Sequence, residues 1–163
     1  MVSLSQWPIG WTTFGCLATY HMPRAYRVPE VICIHTNTVI TDARKLANNV
    51  PLIFAGDFNF QPHENVYALV TTGSISTKVG NFSVIPMKSA YKVFTGSEPK
   101  YTNHTFTRNS KDFFTATLDY IFFTNGLEVI DCLQLSNSAG PAPLPTKHDP
   151  SDHVLLTATF KHS

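Results

Sequence analysis

The chain has 163 residues with a net charge of +1; 43% of its residues are hydrophobic and only 14% are charged. This composition excludes an intrinsically disordered chain and fits one domain with a hydrophobic core. No strongly basic, polyanion-binding surface is visible in these totals. No stretch approaches the roughly 18 apolar residues that a membrane-spanning helix needs, so no membrane partner is expected.

Three widely spaced cysteines (Cys16, Cys33 and Cys132) form no CxxC pair. This pattern predicts reduced, buried thiols rather than a disulfide framework or a zinc site. We therefore expect an intracellular protein, in the cytoplasm rather than the nucleus. Scattered basic residues are expected to lie on a solvated surface, although any of them could meet a phosphate: Arg24, Arg27, Lys92, Lys100, Arg108 and Lys111.

The predicted elements begin after residue 13. Residues 1–13 have neither strand nor helix periodicity and are predicted to be an irregular appendage to a domain at 14–163. A strand is predicted from Phe14 to Tyr20 and is ended by His21-Met22-Pro23.

A helix is predicted over residues 28–49, with Pro29 in its first turn and one apolar stripe formed by Ile32, Thr36, Val39, Ala43 and Leu46. A buried strand follows at 51–56, and a second helix is predicted at 64–71 with Gly73 beyond its end.

Residues 74–113 are predicted to be loops with short strand pieces. Strands are predicted at 117–124 and 127–135, joined as a hairpin by Asn125-Gly126. The proline-rich residues 136–150 are predicted to be a loop, and 153–160 a closing strand. This order predicts an α/β domain with a mixed sheet flanked by helices.

The segment Gly56-Asp57-Phe58-Asn59 follows the predicted buried strand, where α/β proteins usually place their chemistry. If the segment stays extended, the side chains of Asp57 and Asn59 point the same way. Asp57 can then orient or deprotonate a water, and Asn59 can hold a phosphate. The competing interpretation is a simple turn, since Asp and Asn favour turns.

Asp152 and His153 form a second candidate pair before an apolar run. Asp152 is a candidate metal ligand, and His153 can bind or protonate a phosphate. Asp119 interrupts the apolar run at 117–122, and a buried charge needs a partner, which makes it a candidate to orient His153. The competing interpretations are a loop cap for Asp152 and a structural hydrogen bond for Asp119. His21, at a strand end, is by itself more often structural.

Four segments in this order resemble the endonuclease/exonuclease/phosphatase superfamily: Ala18–Pro23, Gly56–Asn59, Thr117–Phe122 and Ser151–His153. Tyr101-Thr102-Asn103 followed by Phe114 is similar to the branch of CCR4-type deadenylases, nocturnin and Angel proteins. The resemblance spans about residues 14–160. It implies the C-terminal half of a fold of two packed β-sheets with outer helices, and a Mg²⁺-dependent hydrolase (Mn²⁺ being possible) that cleaves phosphoester bonds.

The resemblance also implies roles for individual residues. Asp57 matches the water-activating aspartate, and Asn59 the asparagine of the phosphate and metal site. His21 matches the histidine that contacts the scissile phosphate. Asp119, Asp152 and His153 match the remaining catalytic and metal positions. Asn103 and Phe114 match positions that help to hold a base.

The family's principal metal ligand is a glutamate on an N-terminal strand, preceded by an asparagine. Neither has a match here, so the chain is expected to need a missing N-terminal half-domain. The leading hypothesis is a Mg²⁺-dependent phosphodiesterase, a 3′ exonuclease on RNA, in the complete protein. Two alternatives stay open: a non-catalytic fragment or pseudoenzyme with weak nucleic-acid or protein binding, and a phosphodiesterase of another substrate, such as an inositol phosphate, sphingomyelin or a nucleotide.

Overall fold

The computed structural model of the protein describes residues 3–9, 13–24, 28–107 and 112–163. The strands of these residues are β1 (Ser3–Ile9), β2 (Thr13–His21), β3 (Leu52–Asp57), β4 (Ser74–Thr77), β5 (Gly80–Ser83), β6 (Lys88–Ser89), β7 (Asn103–Phe106), β8 (Phe113–Ala116), β9 (Asp119–Phe123), β10 (Leu127–Cys132) and β11 (Ala158–His162). The helices are α1 (Pro29–Ala47), α2 (Asn65–Thr72) and α3 (Ala90–Thr95). Within the described residues no helix combines the length and apolarity needed to cross a membrane.

The central element is a five-stranded mixed sheet in the order β1-β2-β3-β9-β6. Strands β2 and β3 run parallel and are connected through α1, whereas β9 is antiparallel to both β3 and β6. Three two-stranded pairs, β4-β5, β7-β8 and β10-β11, surround this sheet. The predicted α/β class, with a mixed sheet and flanking helices, is confirmed.

The two faces of the sheet have different coverings, because successive residues of a strand point to opposite faces. Ala18, Phe54 and Phe122 lie in the core that α1 and α2 cover. Ile53 and Ile121, from the alternate positions, pack on the core that includes β10 and β11. Residues further along β3 at the same alternate positions as Ile53 therefore point to the face opposite the helices.

Local sequence explains the ends of the helices. Pro29 begins α1, and Asn48 ends it in the left-handed conformation with φ 50°. Gly73 ends α2 in the same way with φ 88°. The predicted apolar stripe of α1 is confirmed except for Leu46, which is 58% exposed. Ala47 takes the buried position instead.

The predicted hairpin at Asn125-Gly126 is wrong. Strand β9 stays in the central sheet, while β10 pairs with β11. The favoured Asn-Gly hairpin turn requires positive φ at both residues, and here only Gly126 has it. Leu127 and Val129 are instead buried against Phe123 on the second face of the sheet, so the turn carries the chain from one layer to the other.

Three further differences concern predicted element bounds. Ser3–Ile9, predicted to be irregular, form β1 and pair antiparallel with β2; residues 1–2 and 10–12 of the same segment lie outside the described residues. The predicted closing strand at 153–160 is β11 at Ala158–His162, because residues 152 and 154 hydrogen-bond to residues 104 and 102 instead. Helix α3 was not predicted, since six residues carry too little periodicity.

Candidate active site

Three candidate residues lie in a row across neighbouring strands. His21 on β2 pairs with Asp57 on β3, and Asp57 pairs with Asp119 on β9. Directly paired residues project from the same face of a sheet. The row therefore stands at one end of the sheet, on the face opposite α1 and α2, although its members are far apart in sequence.

His153 completes this row from a loop. Its Nδ1 lies 2.8 Å from Asp119 Oδ2, and its Nε2 lies 4.0 Å from Asp57 Oδ2. His21 Nε2 lies 3.4 Å from the same Asp57 oxygen, on a side chain that is 76% exposed. The two carboxylates are mostly buried, so the cluster has a fixed acidic centre and a solvent-facing histidine.

Asn59 reaches the cluster through a turn, and the predicted extended segment is wrong beyond Asp57. Asn59 has φ 52°, and its backbone N–H donates to Asp57 Oδ1 at 2.9 Å, as in an Asx turn. Its Nδ2 donates to Met22 O at 2.7 Å and to Asp57 Oδ2 at 3.3 Å. Because Nδ2 makes these hydrogen bonds, Oδ1 is the amide atom of Asn59 that can serve as a ligand for a cation.

The cluster has the donor set of a divalent-cation site. One ligand atom from each of Asp57, Asp119 and His153 lies within 4.8 Å of the others. Carboxylate and amide oxygens suit Mg²⁺, and Asn59 adds one beside Asp57. Asp152 lies outside this group: its Oδ2 accepts a hydrogen bond from Asn103 Nδ2 at 3.4 Å. Its predicted role as a metal ligand stays a prediction.

Two ionisable groups of the cluster have shifted pKa values. Burial raises the pKa of Asp57, against the opposing effect of the hydrogen bond from the Asn59 backbone. The hydrogen bond to Asp119 raises the pKa of His153, since it favours the imidazolium, while burial opposes it. These directions give a carboxylate of increased basicity beside an imidazole that holds its proton more firmly.

The β7-β8 hairpin places the two predicted base-holding residues on one face. Asn103 pairs with Ala116 on β8, and Phe114 pairs with Thr105, so all four share a face. Asn103 also bridges to His153, which continues this face to the cluster. Asn103 is buried, and its Oδ1 has no hydrogen-bond partner among the described residues.

Two residues near the site make contacts that the sequence did not indicate. The Arg24 side chain is exposed, as expected, and its guanidinium lies over the Phe114 ring, 5.4 Å from its centroid. Buried Thr102 accepts hydrogen bonds from the backbone of Leu118 and Asp119. The sequence carries a signal for the Arg24 contact alone, since Arg24 lies three residues after the strand-end His21. The candidate basic residues Arg27, Arg108 and Lys111 lie outside the described residues.

Other features of the described residues have structural rather than catalytic explanations. Cys16, Cys33 and Cys132 are free and buried, as predicted. A cavity of about 720 Å³ between α1, α2 and β4 is lined in part by Cys33 and His63, and contains no member of the cluster. Burial raises the pKa of Cys33, which makes it a poor nucleophile. A groove of about 240 Å³ is lined in part by Asp119 and adjoins the cluster there.

A row of carboxylates and histidines at one end of a sheet is a candidate set of catalytic acids, bases and metal ligands. The chain belongs to the Endonuclease/Exonuclease/phosphatase family, whose model matches residues 4–153. This confirms the resemblance drawn from the four sequence segments. The division of the chain at residue 13 stays a prediction.

Individual relatives belong to the expected branch. The chain is 34% identical over 133 residues to the CCR4-Not complex 3′-5′-exoribonuclease subunit Ccr4 of Phaeosphaeria nodorum. The aligned region covers 69% of this chain and 20% of that protein. The human nocturnin catalytic domain with bound sulfate is 25% identical, with a TM-score of 0.65, over 93% of this chain and 48% of that one. ANGEL2, a 2′,3′-cyclic phosphatase, in complex with adenosine-2′,3′-vanadate, has the same fold: TM-score 0.75 at 19% identity, over 98% of this chain and 60% of that one. The chain spans about a quarter of the length of the first curated relatives it matches.

Proposed function

We propose that the protein is a metal-dependent phosphodiesterase, and that in its complete form it is a 3′ exonuclease of the deadenylase type on RNA. The observation that carries the proposal is the convergence of Asp57, Asp119 and His153, whose ligand atoms lie within 4.8 Å of one another at one end of the sheet. A strand end supplies one carboxylate, a strand start the other, and a loop the imidazole. Family membership and the exoribonuclease relative support the same chemistry.

A divalent cation fits this donor set. Asn59 Oδ1 and the carboxylates of the cluster would hold Mg²⁺ or Mn²⁺, with Asp152 as a further proposed ligand. When bound, the cation would neutralise negative charge on the phosphate oxygens during hydrolysis.

Side chains of this chain are proposed to fill the remaining roles in hydrolysis. Asp57 accepts a proton from the attacking water through a carboxylate that is mostly buried. Asp119 holds His153 through Nδ1, so that His153 Nε2 points its N–H at a phosphate oxygen. His21, the most exposed member, contacts the scissile phosphate from the other side of Asp57. Both histidines thus add hydrogen-bond donors where negative charge develops.

RNA is the proposed substrate because of the neighbouring face of the β7-β8 hairpin. Phe114 offers a half-buried aromatic ring for stacking, while the role of Asn103 in holding a base stays a prediction, because its Oδ1 is buried. The Arg24 guanidinium over the Phe114 ring supplies a positive charge for the backbone. A compact non-nucleotide phosphodiester has no base to stack on the Phe114 ring.

The test is hydrolysis of a labelled oligo(A) RNA, with Mg²⁺ or Mn²⁺ and against EDTA, by the complete protein, in which the chain is joined to the N-terminal half-domain that it is expected to need. We expect stepwise shortening from the 3′ end, reduced about 10²- to 10⁴-fold in Asp57→Asn. Asp42→Asn is the matched control, since Asp42 is an exposed carboxylate on α1 paired with Lys45. Hydrolysis that survives Asp57→Asn, or that proceeds equally in EDTA, would contradict the proposal.

The non-catalytic alternative is tested by calorimetry on this chain alone, with and without the same two substitutions. Saturable Mg²⁺ or Mn²⁺ binding that Asp57→Asn removes and Asp42→Asn retains supports a metal centre in this chain. Absence of binding and of hydrolysis together favours a non-catalytic role. Hydrolysis of small phosphodiesters but not of oligo(A) supports the other substrate class.

A further inference from the structure

We infer that Thr102 is a positioning residue that joins the three segments of the candidate active site without contacting substrate. Thr102 lies just before β7 and has no exposed surface. Its side chain and backbone together make four hydrogen bonds to other parts of the chain. The inference rests on the proposed function only for the catalytic consequence, since the hydrogen bonds are independent of any reaction.

The side chain of Thr102 fixes the start of β9. Its Oγ1 accepts the backbone N–H of Leu118 at 2.8 Å and that of Asp119 at 3.0 Å. A hydroxyl oxygen has two acceptor positions, and both are used here. Since Asp119 carries the carboxylate that orients His153, the hydroxyl sets the backbone from which this carboxylate projects.

The backbone of Thr102 fixes the segment that carries His153. Thr102 O accepts the N–H of Val154 at 2.8 Å, and Thr102 N–H donates to Ala116 O at 2.9 Å. The residue after it, Asn103, bridges to His153. The imidazole and its carboxylate partner are therefore both held by neighbouring atoms of one residue.

The third segment joins through the Leu118 peptide. Its N–H is bound by Thr102, and its carbonyl accepts the N–H of Phe58 at 2.8 Å. Phe58 stands between Asp57 and Asn59, so the link runs from Thr102 to the loop that carries both. Loss of the hydroxyl would leave two buried N–H groups without an acceptor and would release this peptide.

The test compares Thr102→Val, which keeps the shape and loses the acceptor, with Thr102→Ser, which keeps the acceptor. Thr124→Val is the matched control. Thr124 is also buried and its Oγ1 accepts a backbone N–H, that of Leu52 at 2.9 Å, but it follows the opposite end of β9, roughly 16 Å from Asp119.

The first measurement is NMR of the metal-free full chain. Thr102→Val is expected to accelerate amide exchange at Leu118 and Asp119 by at least about tenfold and to change the ¹⁵N shifts of the His153 ring. Thr102→Ser and Thr124→Val should leave these signals in place. Unchanged His153 signals in a folded Thr102→Val protein would overturn the inference, whether or not the protein is an enzyme.

The second measurement is oligo(A) hydrolysis by the complete protein. We expect Thr102→Val to lower kcat by about tenfold or more with little change in KM, Thr102→Ser to restore it, and Thr124→Val to retain it. A loss of equal size in Thr102→Val and Thr124→Val would identify a general stability effect and overturn the inference. If no variant hydrolyses RNA, the proposed function fails, and the NMR comparison still decides the role of Thr102.

Discussion

Gly56→Ala is the substitution that tests the geometry of the cross-strand row most directly. Gly56 precedes Asp57 on β3 and pairs with Tyr20 on β2, with φ 150°. A Cβ at this position would overlap the Tyr20 carbonyl oxygen and lie 3.0 Å from its carbonyl carbon. Since carbon atoms pack at about 3.5–4.0 Å, the strands would have to separate by roughly 1 Å.

The magnitude has two parts. The positive φ costs about 1–3 kcal/mol for a residue with a side chain, and relief of the overlap costs about 1–3 kcal/mol more. We expect the free energy of unfolding to fall by about 2–6 kcal/mol in total, a large share of the typical value of about 5–15 kcal/mol. The same separation moves His21 away from Asp57, and a displacement of about 1 Å at a reacting group costs about 10²-fold in rate.

Two other glycines provide matched controls in a urea-unfolding assay. Gly96 has φ 88° and open space where an added Cβ would lie, so Gly96→Ala carries strain without overlap. Gly140 also has open space and its φ lies outside the left-handed range, so Gly140→Ala should be within about 0.5 kcal/mol of the unsubstituted chain. If Gly56→Ala loses no more stability than Gly96→Ala, the close approach of β2 and β3 is refuted as the reason for glycine.

Two further substitutions test individual hydrogen bonds. Asp119→Asn is expected to lower the pKa of His153 in an NMR titration of the metal-free protein, because it removes the charged acceptor. The stability that the wild-type pair contributes is fully present below about pH 6.5 and is lost as the pH rises through the raised pKa of His153. An unchanged His153 titration in Asp119→Asn would contradict this prediction. Tyr120→Phe removes a buried hydroxyl that donates to the carbonyls of Phe60 and Thr117, and should lower the free energy of unfolding by about 1–3 kcal/mol in urea; no loss would mean that these bonds add nothing net.

Local sequence was enough where local chemistry decides the outcome. Pro29 and Gly73 fix helix ends through their own backbone preferences, so α1 and α2 were predicted nearly to the residue. Two buried strands were equally readable as short apolar runs. The candidate residues were named because a carboxylate at the end of such a strand is chemically unusual, and because their order resembles a known family.

Local sequence failed where long-range pairing competes with a turn preference. Asn125-Gly126 favours a hairpin, but Leu127 and Val129 gain more by burial on the second face of the sheet than by pairing with β9. Asn59 was expected on an extended segment, whereas a hydrogen bond from its own N–H to Asp57 turns the chain. In the first case tertiary contacts outweigh a local preference of comparable size, and in the second a local side-chain bond decides the backbone.

The sequence by itself determined which residues can do chemistry: His21, Asp57, Asp119 and His153 are titratable groups placed at the ends of apolar segments. Only the tertiary structure decided that they meet, because the parallel register of β2 on β3 and the antiparallel register of β9 align residues 36 and 62 positions apart. The role of Thr102 belongs wholly to the tertiary structure. Its two acceptor bonds span 16 and 17 residues, and a threonine carries no local mark of such partners.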